Sequence, residues 1–115
     1  MLKSEIVKQI KNRFDDETKC AAVENLLSLF SNPLRFKILC ALVETDFSVT
    51  EIAEIAESKI SNISQQLKIL TLAGYLSKKR EGKLVFYRLE DEKVRSMIRF
   101  MHELFDIPAV AEQAV

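Results

Sequence analysis

Ser58-Lys59-Ile60-Ser61-Asn62-Ile63-Ser64-Gln65-Gln66-Leu67-Lys68-Ile69-Leu70 is the stretch that decides the fold. Read as a helix, it places Ile60, Ile63, Leu67 and Leu70 on one face, with Ile69 beside them. The other face carries Lys59, Ser61, Asn62, Gln65, Gln66 and Lys68, with Ser64 at its edge. A face that meets only water usually alternates its charges. This one is rich in amides and hydroxyls, which both donate to and accept from base edges and phosphates. Ser58 is placed to serve as N-cap, so Ser61, Asn62 and Gln65 fall in the exposed first turns. Taken alone, the segment also reads as an ordinary amphipathic helix with a polar outer face. Its neighbours decide.

Immediately upstream, Ser48-Val49-Thr50-Glu51 has the spacing of a capping box, and a short helix follows with Ile52, Ala53 and Ala56 inward. It must end before Ser58. Two helices about three residues apart, the second with a polar outer face, form the helix-turn-helix pattern. Ala53 is small enough to let them cross closely. The turn at Glu57-Ser58 lacks the usual glycine. Further back, Ser31-Asn32-Pro33 is a start signal, with Asn32 as N-cap and Pro33 at the first helical position. The helix Leu34 to Glu44 then buries Leu34, Ile38, Leu39, Ala41 and Leu42 and leaves Arg35 and Lys37 outside. Thr45-Asp46-Phe47 reads as a short connection.

Downstream, Gly74 closes the long helix as a C-cap. Tyr75 to Arg80 and Leu84 to Leu89 read as two strands joined by Glu81-Gly82-Lys83, a hairpin turn with its glycine. Lys78, Lys79, Arg80 and Lys83 crowd the tip. A basic hairpin directly after a helix-turn-helix is a wing. Glu90-Asp91-Glu92 opens a last helix with acids at its positive end, and Val94, Met97, Ile98, Met101, Leu104 and Phe105 form its stripe. Phe100 lies off that stripe, and Pro108 ends the helix. At the other end of the chain, Leu2, Ile6, Ile10 and Phe14 repeat every fourth residue, and Ala21, Ala22, Leu26, Leu27 and Phe30 supply a second apolar face. Whether these form one helix or two stays open. A stripe on a terminal arm needs a partner surface, and dimer contact is the preferred one.

The expected fold is therefore mainly α with a β-hairpin wing: a winged helix-turn-helix that pairs as a homodimer through its first and last helices. Residues 1–30 make the arm and dimerisation helix, 31–89 the winged core, 90–107 the last dimerisation helix and 108–115 a tail. With 115 residues the chain suits one domain, and only two glycines and two prolines leave little material for tight turns. No apolar run reaches the length of a membrane span, and the N-terminus lacks a signal-peptide core. A cytoplasmic protein is expected. Cys20 and Cys40 make neither a disulfide framework nor a zinc quartet. Net charge is zero, yet residues 58–89 hold seven basic side chains and one acid, +6, which leaves −6 for the rest. Such a split suits one anion-facing surface and an acidic back. One histidine, no phosphate-cradling glycine loop and no nucleophile–base pair at a recognisable spacing argue against an enzyme. A winged helix used only for protein contact is the rival reading; the polar face of Ser61, Asn62 and Gln65 and the basic wing favour DNA.

Several of these segments together resemble the ArsR/SmtB family of small bacterial winged-helix repressors. They are Leu29 to Arg35, Ser48 to Ala53, Ser61 to Leu70, Gly74-Tyr75-Leu76 and Gly82 to Leu89, within a match spanning roughly residues 25–105. The resemblance implies a homodimer on a palindromic operator near its own promoter, released when an effector changes the dimer; the sequence does not name that effector. Ser61, Asn62, Ser64 and Gln65 would read bases. Lys59, Gln66, Lys68, Lys78, Lys79, Arg80 and Lys83 would hold the backbone. The family's metal sites are not matched: Ser48 and Thr50 stand where a Cys-x-Cys pair would be. On the last helix only Asp91 fits, with Lys93, Leu104 and Ile107 at the other ligand positions and His102 and Glu103 off register. No metal and no cofactor is expected. Ile38-Leu39-Cys40 resembles the HlyU/BigR-like thiol-responsive branch, which pairs this cysteine with one at the end of the last helix. Asp106 stands there instead. Cys20 is the candidate substitute partner for Cys40 in a redox switch, and two unlinked structural cysteines are the alternative.

Overall fold

The computed structural model describes residues 1–110, so most of the expected tail, residues 111–115, lies outside the described residues. The described residues divide into two compact units, the first Met1–Asn32 and the second beginning at Pro33.

The first unit contains two helices, α1 (Lys3–Asn12) and α2 (Glu17–Ser31), which answers the question that the sequence left open. Asp16 makes the break. Its backbone is extended, and its carboxylate accepts from the Lys19 amide at 3.0 Å, capping α2. None of the α1 residues is buried; Ile6, Val7, Ile10 and, after the helix, Phe14 stand exposed.

The second unit runs α3 (Pro33–Glu44), β1 (Phe47–Ser48), α4 (Val49–Ala56), α5 (Ile60–Leu72), β2 (Leu76–Glu81), β3 (Leu84–Leu89) and α6 (Glu92–Leu104). Pro33 is the first residue of α3, and Asn32 before it is extended, as a cap position requires. Ser48 and Glu51 form the full capping box of α4: Glu51 Oε1 accepts from the Ser48 amide at 2.9 Å, and Ser48 Oγ from the Glu51 amide at 3.3 Å. The core takes Ile38, Leu39 and Leu42 from α3, Ile52 from α4, Ile63, Leu67 and Leu70 from α5, and Val94 and Ile98 from α6, all buried to within 1%. At roughly 1.5–3 kcal/mol for each large side chain, that shared burial holds the three-helix core and α6 together.

Three differences from the sequence reading have local causes. Phe47–Ser48 is a strand, not part of a connection: it pairs antiparallel with β3, Phe47 opposite Tyr87 and Ser48 opposite Phe86, giving a sheet ordered β1-β3-β2. Ser58 does not cap α5, because its amide is already bonded to the Ala53 carbonyl at 3.1 Å in closing α4; Lys59 is the N-cap residue and makes no side-chain capping bond. Ile60 and Ile69 are not on the buried face of α5, being 51% and 44% exposed.

Helices α4, α5 and α6 end in the same way. In each, an amide reaches back five residues and its predecessor three: Ser58 to Ala53 and Glu57 to Glu54, Tyr75 to Leu70 and Gly74 to Thr71, Ile107 to His102 and Asp106 to Glu103. This Schellman closure needs a left-handed residue, filled by Gly74 at φ +89, Glu57 at φ +51 and Asp106 at φ +55. The last of these stops α6 before Pro108. It also splits the expected stripe: Val94 and Ile98 are buried, Met97 and Met101 half-buried, and Leu104 and Phe105 exposed, as is Phe100.

Candidate nucleic-acid interface

Helix α5 turns Ile63, Leu67 and Leu70 fully inward, and that choice fixes what faces out. Lys59, Ser61, Asn62, Ser64, Gln65 and Lys68 are all exposed. Gln66 differs. It is half-buried at the flank of that face, and its Oε1 accepts from Arg35 Nε at 3.2 Å. The outer face also carries Leu72, 80% exposed toward the C-terminal end.

The hairpin gives the wing its shape. Pairing runs from Leu76–Leu89 to Glu81–Leu84, leaving Gly82-Lys83 as a two-residue turn. Gly82 takes φ +62 at the first turn position, as a type II′ turn requires. Strand alternation then divides the basic residues. Lys78 and Arg80 lie opposite Tyr87 and Val85 on the face of Leu76; Lys79 lies opposite Phe86 on the other face. All three are exposed, as is Lys83.

Two of the basic side chains are not simply available. Lys79 Nζ lies 3.5 Å from Glu81 Oε1, both well exposed, an ion pair that water and salt largely screen. Arg88 makes a forked contact with Asp46: Nε to Oδ1 and Oδ2 at 3.3 and 3.1 Å, and Nη2 to Oδ2 at 3.0 Å. The hydrogen bond to Asp46 and its charge raise the Arg88 pKa further. Arg88 therefore ties β3 to the segment entering β1.

Three residues escaped the sequence reading. By sequence Arg35 faces outward, yet it reaches α5 across 31 positions. Arg95, half-buried on α6, donates from Nη1 to the Val43 carbonyl at 3.0 Å and from Nη2 to the Leu89 carbonyl at 2.8 Å. It so pins the last turn of α3 and the end of β3 to α6. Asp46, mere connection by sequence, holds Arg88. The Arg35–Gln66, Arg95–Val43 and Arg88–Asp46 contacts leave no local signal, because their partners lie 31 to 52 positions apart.

The two cysteines fall in different units, and both are half-exposed free thiols. Cys20 Sγ lies 3.8 Å from the Phe14 carbonyl in a groove of about 530 Å³ lined by Phe14, Val23 and Leu27. Burial, and then the Glu44 carboxylate, push the Cys40 thiol up to about 11. His102 and Glu103 line an open cavity of about 350 Å³ with Glu44 and Arg99, but among the described residues no three His, Cys, Asp or Glu converge as metal ligands.

Comparison with known proteins places this helix-turn-helix in a family. Residues 32–78 match the model of the arsR family of bacterial regulatory proteins. The biofilm growth-associated repressor of Xylella fastidiosa is 34% identical over 93 residues, covering 81% of this chain and 82% of that protein.

This chain belongs to the ArsR family of bacterial regulatory proteins.

The transcriptional activator HlyU of Vibrio cholerae is also 34% identical, over 77% of this chain and 82% of its own. The crystal structure of the repressor BigR from Xylella fastidiosa superposes with a TM-score of 0.73 at 33% identity, covering 87% of this chain and 98% of that one. The members it resembles are transcription regulators, and the winged helix-turn-helix fold is theirs too. Among the described residues, no single helix is long and apolar enough to cross a membrane.

Proposed function

We propose that this ArsR-family regulator acts in the cytoplasm as a homodimeric repressor of its own or an adjacent operon, with no catalytic activity of its own. The observation that carries this is the outer face of α5, where Ser61, Asn62, Ser64 and Gln65 are exposed directly above a fully buried row. Asn62 and Gln65 suit paired hydrogen bonds to adenine in the major groove, and Ser61 and Ser64 bond to either kind of base. Lys59, Lys68, Lys78, Lys79, Arg80 and Lys83 take phosphates beside the groove, adding affinity with little direct sequence reading. The exposed apolar side chains Phe100, Leu104 and Phe105 at the end of α6 supply the surface for pairing. The test is binding to a labelled fragment of the gene's upstream region by protein of measured mass. Tight, specific binding by a dimer supports the reading; a monomer, or equal affinity for any duplex, contradicts it.

Control by a thiol is the second part of this reading. It rests on the partial exposure of both free thiols, Cys40 being the slower to react because burial and Glu44 hold it protonated, and is tested by treating the bound protein with persulfide or a disulfide-forming oxidant. Release that reverses with reductant supports it. Unchanged binding assigns both cysteines to structure alone.

A further inference from the structure

Gln66 is the one polar residue of the α5 outer set that the fold itself has taken hold of. Its Oε1 accepts from Arg35 Nε at 3.2 Å in part-buried surroundings. A guanidinium offers donors and no acceptor, so the amide must turn its oxygen toward Arg35. The NH2 end is thereby directed away from Arg35, and a primary amide nitrogen can only donate. Gln66 sits one helical turn after Asn62, half-buried at the edge of the outer face where Gln65 is exposed. When a helix lies in a groove, its centre meets base edges and its flanks run beside the phosphate walls.

We propose that Gln66 donates its amide N–H to a DNA phosphate, and that Arg35 is the positioning residue that holds it in the donating orientation. This rests on the DNA-binding reading given above. Without Arg35, the amide turns freely, and in one of its two orientations it presents a carbonyl to a phosphate, which repels. A neutral donor displaces no counterion, so this contact adds affinity without steepening the salt dependence, unlike that of Lys59 or Lys68.

The test uses the full chain, with fluorescence anisotropy on the upstream fragment and on a random duplex of equal length, across a salt series. Thermal melting is followed in parallel. Gln66→Glu keeps an acceptor for Arg35, so its melting temperature holds, while affinity for both duplexes falls about tenfold as a carboxylate meets the phosphates. Gln66→Met weakens binding about threefold to tenfold on both duplexes with the salt slope unchanged. Arg35→Met produces a similar loss, and the double variant binds no worse than Gln66→Met alone. Wild-type affinity in Gln66→Glu overturns the proposal. So does an Arg35→Met loss that adds in full in the double variant and flattens the slope by about 0.9, which makes Arg35 itself the phosphate contact. Failure of the wild-type chain to bind either duplex sinks the DNA-binding reading, and the proposal with it.

Discussion

Cys40 sits half-buried on α3, and Glu44 stands one turn further along the same helix. Its thiol is pushed from 9.0 up to about 11, chiefly by burial, so the folded state favours the protonated form. The sign follows directly: this contribution is complete below about pH 9 and is lost as pH rises toward 11. The urea midpoint should fall across that window in wild type and fall less in Cys40→Ser. At neutral pH only about one thiol in ten thousand is ionised. Iodoacetamide should therefore modify Cys40 slowly, and faster in Glu44→Gln. Arg95 matters at the same scale for stability. Arg95→Met removes the donors to the Val43 and Leu89 carbonyls, and chemical denaturation should show a loss of about 2–3 kcal/mol. The sequence marks Cys40 as a candidate thiol but not its raised proton affinity, and it does not mark Arg95 at all. A cysteine's proton affinity depends on what covers it, and Arg95 looks like any helix-surface arginine until Val43 is brought to it.

Elements were more legible, because caps and turns are written locally. The Ser48–Glu51 box, Pro33, Gly74 and Gly82 each mark a boundary through a hydrogen bond or a backbone angle within a few residues. Strand β1 was not legible, since two residues carry no alternation; it exists because β3 offers an edge. The start of α5 differs from its sequence signal for the opposite reason. Ser58 is a good cap by type, but the left-handed turn at Glu57 draws its amide back onto α4. Glu57 carries a side chain in a conformation that glycine adopts freely. Glu57→Gly should stabilise the fold by about 1 kcal/mol, read as a higher urea midpoint with unchanged slope; destabilisation would mean that the side chain makes a compensating contact. On the wing, Lys79→Ala with Arg80→Ala should weaken binding to specific and random DNA alike. It should also flatten the salt slope by up to about 1.8, and an unchanged slope would remove both from the phosphate contacts.

At the scale of the whole molecule, charge is divided more sharply than the zero net value suggests. The count of seven basic residues in 58–89 still overstates what DNA would meet. Arg88 is held by Asp46, and Lys79 is shared with Glu81. The polar face of α5 was legible because its buried row is regular; its exact edge was not, since Gln66 belongs partly to Arg35 and Ile60 and Ile69 face outward. The base-reading role of α5 is the claim on which the rest depends. Its most direct measurement is the ratio of affinities for the upstream fragment and for random duplex, in wild type and in Gln65→Ala at one salt concentration. Loss of a paired contact to a base should lower specific affinity about tenfold while leaving random binding and the melting temperature unchanged. An equal loss on both duplexes, or no loss on either, would contradict a reading helix at α5.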